Sequence, residues 1–228
     1  MQLTKRLQIK SEDKIIEFLN SQPVGRITSI DINGYPQVIP MNFVFVSSKH
    51  EVNMNISHNS MKSSSIYMHS HPFGEKLENI KRNSKVGFEV DQHVCFLPSY
   101  YFHPTDASQA DTLYISVVIK GNAFIIDDNE EKAFALNMLM KKYQTEGIYE
   151  PLNRSMPSVR AVTVIKVVPH DIRGKYKIGQ QWAPMYRLKM AQRIVKREGI
   201  LNSKLILKIM GIEVDRSGKL QIKRDPLM

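Results

Sequence analysis

An Asn33-Gly34 turn set between two runs rich in β-branched residues, Val24–Ile30 and Tyr35–Val46, commits this stretch of the chain to a β-hairpin. Asn-Gly tolerates the left-handed backbone of a tight hairpin turn, and the flanking residues favour a pleated, half-buried surface. Tyr35–Val46 is long enough for one or two strands. Upstream, Ser11 followed by Glu12 and Asp13 marks a helix start, with Ile15, Ile16, Phe18 and Leu19 as its apolar stripe before Pro23.

The β pattern continues. Residues 51–56 read as a strand, 57–64 as a polar loop that looks like an insertion, and Ser65–His69 as another strand. Gly74–Asn83 places Leu77 and Ile80 at helical spacing among charges, so a short helix opens just after a strand end. Lys85–Asp91 and Thr112–Ile126 read as strands, separated by a polar and aromatic stretch from His93 to Asp111. A loop of that length is usually functional, and its Tyr100, Tyr101 and Phe102 suit either a lid or the core. Asp127 and Asp128 cap a helix whose Leu136, Leu139, Met140 and Tyr143 recur at core-packing spacing, and Val159–Val168 is the next strand. Gly174–Gln181 is polar. Pro184 then opens a helix to Glu198 with Leu188, Ala191, Ile194 and Val195 on one face and Arg187, Lys189, Arg193, Lys196 and Arg197 on the other. Gly199 stops it, residues 202–210 form a second basic helix, and Ile212–Ile222 reads as a hairpin around Ser217-Gly218.

Many short antiparallel strands and few helices predict a mainly β, α+β fold built on a barrel, residues 1–182, with a basic helical extension, residues 183–228. The net charge of +10 supports that division, because residues 173–228 hold 14 Lys and Arg against 4 Asp and Glu while the remainder is neutral. Such a tail suits a solvated helical face, nucleic acid or an anionic membrane surface, in that order. No apolar run nears the ~20 residues of a membrane span, and Met1–Asp13 lacks a signal-peptide core, so the expectation is a cytoplasmic protein. The single Cys95 excludes an internal disulfide and reads as a small buried side chain.

Gly74 and Lys76 at a helix start offer free N–H groups, the positive dipole end and a cation, the elements of a phosphate seat; alone they equally describe an ordinary helix start. His69 and His71 would share a strand face, but Pro72 and the lack of a third ligand argue against a metal site. His50, His58, His93 and His103 keep haem open as an alternative.

In order along the chain, the G-R-I-T-S-x-D strand from Gly25, N-G-Y-P from Asn33, V-I-P-M-N-F from Val38, I-Y-M-H from Ile66, G-x-K-L-x-N-I-x-x-N from Gly74 and V-x-F-E-V from Val86 resemble the flavin-nucleotide-binding, nitroimidazole-resistance (Nim) branch of the pyridoxamine-phosphate-oxidase-like superfamily. The segment Gly174–Gln180 is similar to a C-terminal motif of PaiB-type FMN-binding regulators. The resemblance implies an antiparallel FMN-binding split β-barrel that works as a homodimer with flavin at the subunit interface. It also implies an isoalloxazine lying along Val38, Ile39, Pro40, Met41 and Asn42, and a ribityl phosphate near His69, Ser70, Lys76 and Asn79, with Lys76 as its cation. His69 would be the catalytic proton donor, Ser116 a contact on the phosphate side, and Lys175, Lys177, Gln180 and Trp182 would reach the partner subunit's flavin. The implied function is an oxidoreductase passing electrons from a nicotinamide donor to a small organic acceptor, with FAD, a deazaflavin or haem as alternative cofactors. The rival is a non-catalytic flavin- or haem-binding sensor that contacts nucleic acid through its tail. The chain departs from the pattern at His71-Pro72-Phe73, where small residues are usual.

Overall fold

The computed structural model describes residues 5–47 and 64–226, so the strand expected at 51–56 and most of the loop expected at 57–64 lie outside the described residues. The chain divides into two compact units, one formed by Ser11–Val90 and Val117–Arg173, the other by the chain up to Lys10, Asp91–Ser116 and the chain from Gly174 onward.

Seven strands, β1 (Val24–Ile30), β2 (Pro36–Asn42), β3 (Val44–Val46), β4 (Ser65–Ser70), β5 (Lys85–Leu97), β6 (Asp111–Ile126) and β7 (Thr163–Lys177), form one sheet in the order β2-β1-β5-β6-β7-β4-β3. The expected hairpin is β1–β2, paired from Val24 opposite Asn42 to Ile30 opposite Pro36. Its turn is fixed by Asp31, whose carboxylate accepts the N–H groups of Asn33 (2.8 Å) and Tyr35 (2.7 Å), with Gly34 at φ 88°. Helix α1 (Glu12–Ser21) starts on Ser11, whose hydroxyl accepts from the N–H of Lys14, and buries Ile15, Phe18 and Leu19. The α+β class and the antiparallel barrel-type sheet follow the sequence expectation.

The strand order places β2 and β3 at opposite ends of the sheet, yet one residue, Phe43, separates them in the chain. A residue spans at most about 3.8 Å, so the two ends must meet there and the sheet must curl closed. The ring of Phe43 is fully buried, edge-on to Phe88 at 5.1 Å between centroids, and the Lys142 ammonium stands 3.7 Å from its face. A Cβ on Gly25 would run into the Phe88 ring, so glycine is needed where β1 crosses this cluster. Strand geometry breaks at Phe43, and the Tyr143 hydroxyl takes over its hydrogen bonding. It accepts from the Phe43 N–H (2.8 Å) and lies 2.9 Å from the Phe43 carbonyl and 2.7 Å from that of Pro23. Tyr143 ends helix α3 (Asn129–Tyr143), which Asp128 caps by accepting from the N–H groups of Glu130 and Glu131.

Three expectations change. Strand β5 continues to Leu97, because Val94, Cys95, Phe96 and Leu97 keep a period-two burial pattern, and the expected long loop shrinks to residues 98–110 with two single 3₁₀ turns. Val159 belongs to a short helix, α4 (Pro157–Ala161), started by Pro157; β7 begins at Thr163. At its far end β7 absorbs Gly174–Lys177, because the N-terminal segment pairs with it: Ile9 donates to Gly174 and Tyr176 to Leu7, each at 2.9 Å. Ile9 occupies the place a Cβ on Gly174 would need.

In the second unit, helices α5 (Pro184–Glu198) and α6 (Ile200–Ile209) pack Met190, Ile194, Leu207 and Met210 against Cys95, Leu97 and Leu113, and a small hairpin follows, β8 (Ile212–Val214) with β9 (Leu220–Ile222). Cys95 is buried, as its composition suggested, and burial pushes its thiol pKa up. Tyr101 is core, its hydroxyl donating to the Arg193 carbonyl at 2.8 Å, while Tyr100 stays 61% exposed. Arg187 is not on the solvated face of α5 but buried, donating to the Arg224 carbonyl at 3.2 Å. Among the described residues no helix is long and apolar enough to cross a membrane.

Two outcomes follow from the Phe43 cluster. Tyr143→Phe leaves backbone groups at the β2–β3 crossing unpaired and should lower unfolding free energy by roughly 1–3 kcal/mol, read from urea midpoints. Burial lowers the Lys142 pKa from 10.5 to about 8. Between those two values the unfolded chain binds the proton and the folded chain does not, so this group makes stability rise with pH there. Lys142→Met should flatten that rise relative to the parent in denaturation curves taken from pH 7 to 10.5.

Candidate functional site

The first group of candidate residues gathers around the end of β4 and the helix that follows it, α2 (Glu75–Arg82). Met68 is fully buried, His69 is exposed and Ser70 is half-buried before the chain leaves the sheet. Gly74 then adopts φ 148°, ψ 155°, a backbone region open essentially to glycine alone, and starts the helix with no side-chain cap. Its carbonyl accepts from the N–H of Leu77 at 2.9 Å. The N–H groups of Glu75 and Lys76 belong to the first turn and have no intrahelical acceptor. Lys76 is half-buried beside them, and a Cβ on Gly74 would meet nothing within 4 Å. The helix start therefore has free N–H donors beside open space at Gly74, and its first turn holds Lys76 together with Glu75 and Glu78.

What holds α2 in place is a side-chain network the sequence reading did not find. Gln37 on β2 donates to the Glu75 carboxylate at 2.5 Å and accepts from Asn79 at 3.3 Å. Asn79, only 2% exposed, also donates to the Ser29 hydroxyl (3.3 Å) and accepts from Arg82 (2.8 Å), which donates further to the Ile30 carbonyl (2.7 Å). The amide of Asn79 is thus committed to β1, β2 and its own helix. A signal existed: strand period two puts Gln37 on the face of Ile39 and Met41, and a polar residue among apolar ones on the packed face needs partners.

Strand β2 pairs with β1 on one side and is the edge of the sheet on the other. Ile39 and Met41 are half-buried, whereas Val38 (54% exposed), Pro40 and Asn42 are open. Proline at 36 and 40 removes two donors and keeps the edge from pairing indiscriminately. Because the sheet closes through Phe43, β2 and β4 approach one another. On the other side of β2, Gln37 reaches the start of α2 through Glu75. His71 and Phe73, both exposed, lie against each other at 5.7 Å between rings, and the Phe73 N–H donates to His71 Nδ1 at 3.3 Å. With Nδ1 accepting, the proton of a neutral His71 sits on Nε2.

The second group lies in the other unit. Ser116 is half-buried on β6, Lys175 stands 5.5 Å from the Tyr114 ring, and Lys177 pairs with Asp111 at 2.5 Å. Gln180 is consumed by its own turn, accepting from the Ile178 N–H (2.9 Å) and donating to the carbonyls of Tyr176 (3.0 Å) and Arg6 (3.1 Å). Trp182 packs over Gly179, which has φ 83°, and against Tyr186. Among the described residues no group of three or more His, Cys, Asp and Glu side chains is placed to hold a metal ion.

Comparison with known proteins identifies the fold's relatives. The family model for pyridoxamine 5'-phosphate oxidase matches residues 11–176. None of the curated protein sequences matches the chain. Among solved structures, a candidate 5-nitroimidazole antibiotic resistance protein from Bacteroides thetaiotaomicron is similar at 25% identity and TM-score 0.56, covering 74% of this chain and 86% of its own. A flavocytochrome from Azotobacter vinelandii (15% identity, TM-score 0.57, 77% and 72% covered) and an FAD and heme binding protein from Mycobacterium smegmatis (11%, 0.54, 75% and 73%) share the fold.

Because no other residue adopts the Gly74 backbone without strain, Gly74→Ala should cost roughly 1–3 kcal/mol, or shift the start of α2 to avoid that cost. Chemical denaturation measures the first outcome and a crystal structure of the variant the second.

Proposed function

The chain belongs to the pyridoxamine 5'-phosphate oxidase family, and from that premise we propose that it is an FMN-binding oxidoreductase, a reductase that draws on a nicotinamide donor and serves a small organic acceptor. The observation that carries this reading is the uncapped, glycine-started helix α2, with Lys76 in its first turn, beside the open edge strand β2. The residues present fit FMN: free N–H donors and one cation for the phosphate, and the half-open surface of Val38 to Asn42 for a flat ring. The chemistry supplied at such a site is hydride acceptance and onward electron transfer.

The chain's own part is binding, orientation and proton supply. Lys76 and the first-turn N–H groups hold the phosphate, Ser70 contacts the ribityl chain, and the backbone of β2 orients the ring. Asn79 acts as a positioning residue, since through Gln37 and Arg82 it fixes α2 against the hairpin. His69, exposed at the end of β4, delivers a proton to the acceptor. The working form is a homodimer in which Lys175 and Trp182 complete the flavin site of the partner subunit. The exposed Phe73 and His71 then flank the acceptor and set which ring it carries.

Titration of the apo-protein with FMN, followed by flavin fluorescence, tests the reading. Saturable uptake is expected, and Lys76→Ala should weaken it about 10- to 100-fold, the loss of one charge-assisted contact worth ~1.5–3 kcal/mol. His69→Ala should keep FMN affinity while lowering the rate of acceptor-dependent NAD(P)H oxidation. Protein that takes up neither FMN, FAD nor a deazaflavin overturns the proposal, and a haem spectrum on purification would replace it.

A further inference from the structure

The helix and hairpin from Gly199 onward have no task in the flavin reading. On α5 the arginines are spoken for: Arg187 is buried, Arg193 donates to the Tyr101 carbonyl, and Arg197 donates to the Phe96 carbonyl while pairing with Glu198. Its lysines, Lys189 and Lys196, are exposed, and beyond Gly199 so are Lys204, Lys208, Arg216 and Lys219. Helix α6 contains no acidic residue, and its outer face carries Leu201, Lys204, Leu205 and Lys208, spaced i, i+3, i+4 and i+7. Lys204 and Lys208 have no acidic partner among the described residues.

The hairpin adds to this face. Asp215, at its turn, accepts from the Ser217 hydroxyl (2.6 Å), the N–H groups of Lys219 (3.0 Å) and Ser217 (2.8 Å) and the Gln221 side chain (2.6 Å), which holds its carboxyl pKa below the usual range. That carboxylate is occupied by the turn itself, and the tip leaves Arg216 and Lys219 exposed. After β9 the chain is pinned to the end of α6: Gly211, at φ 70°, has no room for a Cβ beside the Arg224 carbonyl, and its own carbonyl accepts from Lys223 at 3.0 Å. The pinning builds a cavity of about 400 Å³ walled by Lys204, Lys208, Lys223 and Arg224, with Glu213, itself 3.2 Å from Lys223, as its one acid.

We propose that this concave face, α6 with the β8–β9 hairpin, binds the phosphate backbone of duplex DNA. Cations on a helix face, at a hairpin tip and at the hairpin exit follow a line of phosphates better than they would a single small anion. A helix such as α6, about 10–12 Å across with its side chains, fits the roughly 12 Å width of a major groove, and Leu201 and Leu205 supply the apolar contact that thymine methyl groups accept. A lipid surface fits less well, because the apolar side of α6, with Ile206, Leu207 and Ile209, is already buried in the core and only Ile200, Leu201 and Leu205 remain outside, interleaved with Lys204 and Lys208.

Anisotropy of the full chain with a labelled, mixed-sequence duplex of about 30 base pairs, three helical turns, tests this. Four phosphate contacts, from Lys204, Lys208, Arg216 and Lys219, give a slope of log K against log salt near −3.6, or about 150-fold weaker binding at 200 mM than at 50 mM. Lys204→Ala with Lys208→Ala, both at exposed positions, should halve the slope, so that the same salt step costs about 12-fold. Arg216→Ala with Lys219→Ala should do the same from the hairpin, while unfolding curves of both pairs match the parent. No binding at 50 mM salt, slopes unchanged in both double variants, or tighter binding to anionic phospholipid vesicles or single-stranded RNA than to the duplex would each overturn the proposal.

Discussion

Phe43 is the residue on which the first unit turns. It carries the chain from one end of a seven-stranded order to the other in a single step, and a covalent chain permits that only if the two ends of the sheet already lie together. Closure is therefore a consequence of connectivity. Packing makes it stable: a buried ring against Phe88, a gap left by Gly25, a lysine held over the ring face, and a tyrosine hydroxyl supplying the hydrogen bonds that a broken strand cannot. An unpaired amide at this depth would cost as much as several apolar contacts gain, so the cluster acts as one piece.

The candidate site inherits its geometry from that crossing. Because β2 ends where β3 begins, the open edge of β2 is delivered to the end of β4, and the helix after β4 starts beside it. Gly74 lets α2 begin abruptly, and the Gln37–Asn79–Arg82 network stops it from sliding along the hairpin. The first turn also carries two acids, each held by a neighbour: Glu75 accepts a short bond from Gln37, and Glu78 pairs with Lys81. A site of this kind is assembled from residues whose own polar groups are already satisfied, apart from the few aimed outward.

Much of this was legible in the residues. The hairpin, its Asp31-Asn33-Gly34 turn and the helix starts at Ser11, Gly74, Asp128 and Pro184 rest on local chemistry that a sequence displays directly. The errors came where distant segments decide. Gly174–Lys177 reads as polar loop but becomes strand because Leu7 and Ile9 pair with it, and nothing near residue 174 announces them. Val159 looks like strand by its β-branching, and only Pro157 gives the helix away. Asn79 matched a flavin-contact position by motif; whether it touches a ligand is a matter of burial and partners, and those lie some 40 to 50 residues away on β1 and β2.

Charge shows the same dependence on partners. The sequence places an excess of ten positive charges after residue 172, and by composition alone both helices there are equally basic candidates for a surface. The fold separates them. Arginine, with its planar fork, can pair with backbone carbonyls, and on α5 Arg187 does so in the core while Arg193 and Arg197 do so nearer the surface. Lysine is a strongly hydrated point charge that resists such burial, and the open cations of α6 are both lysines. Net charge thus overstates the field a partner would meet, because part of the excess, Arg187 above all, is spent inside the fold.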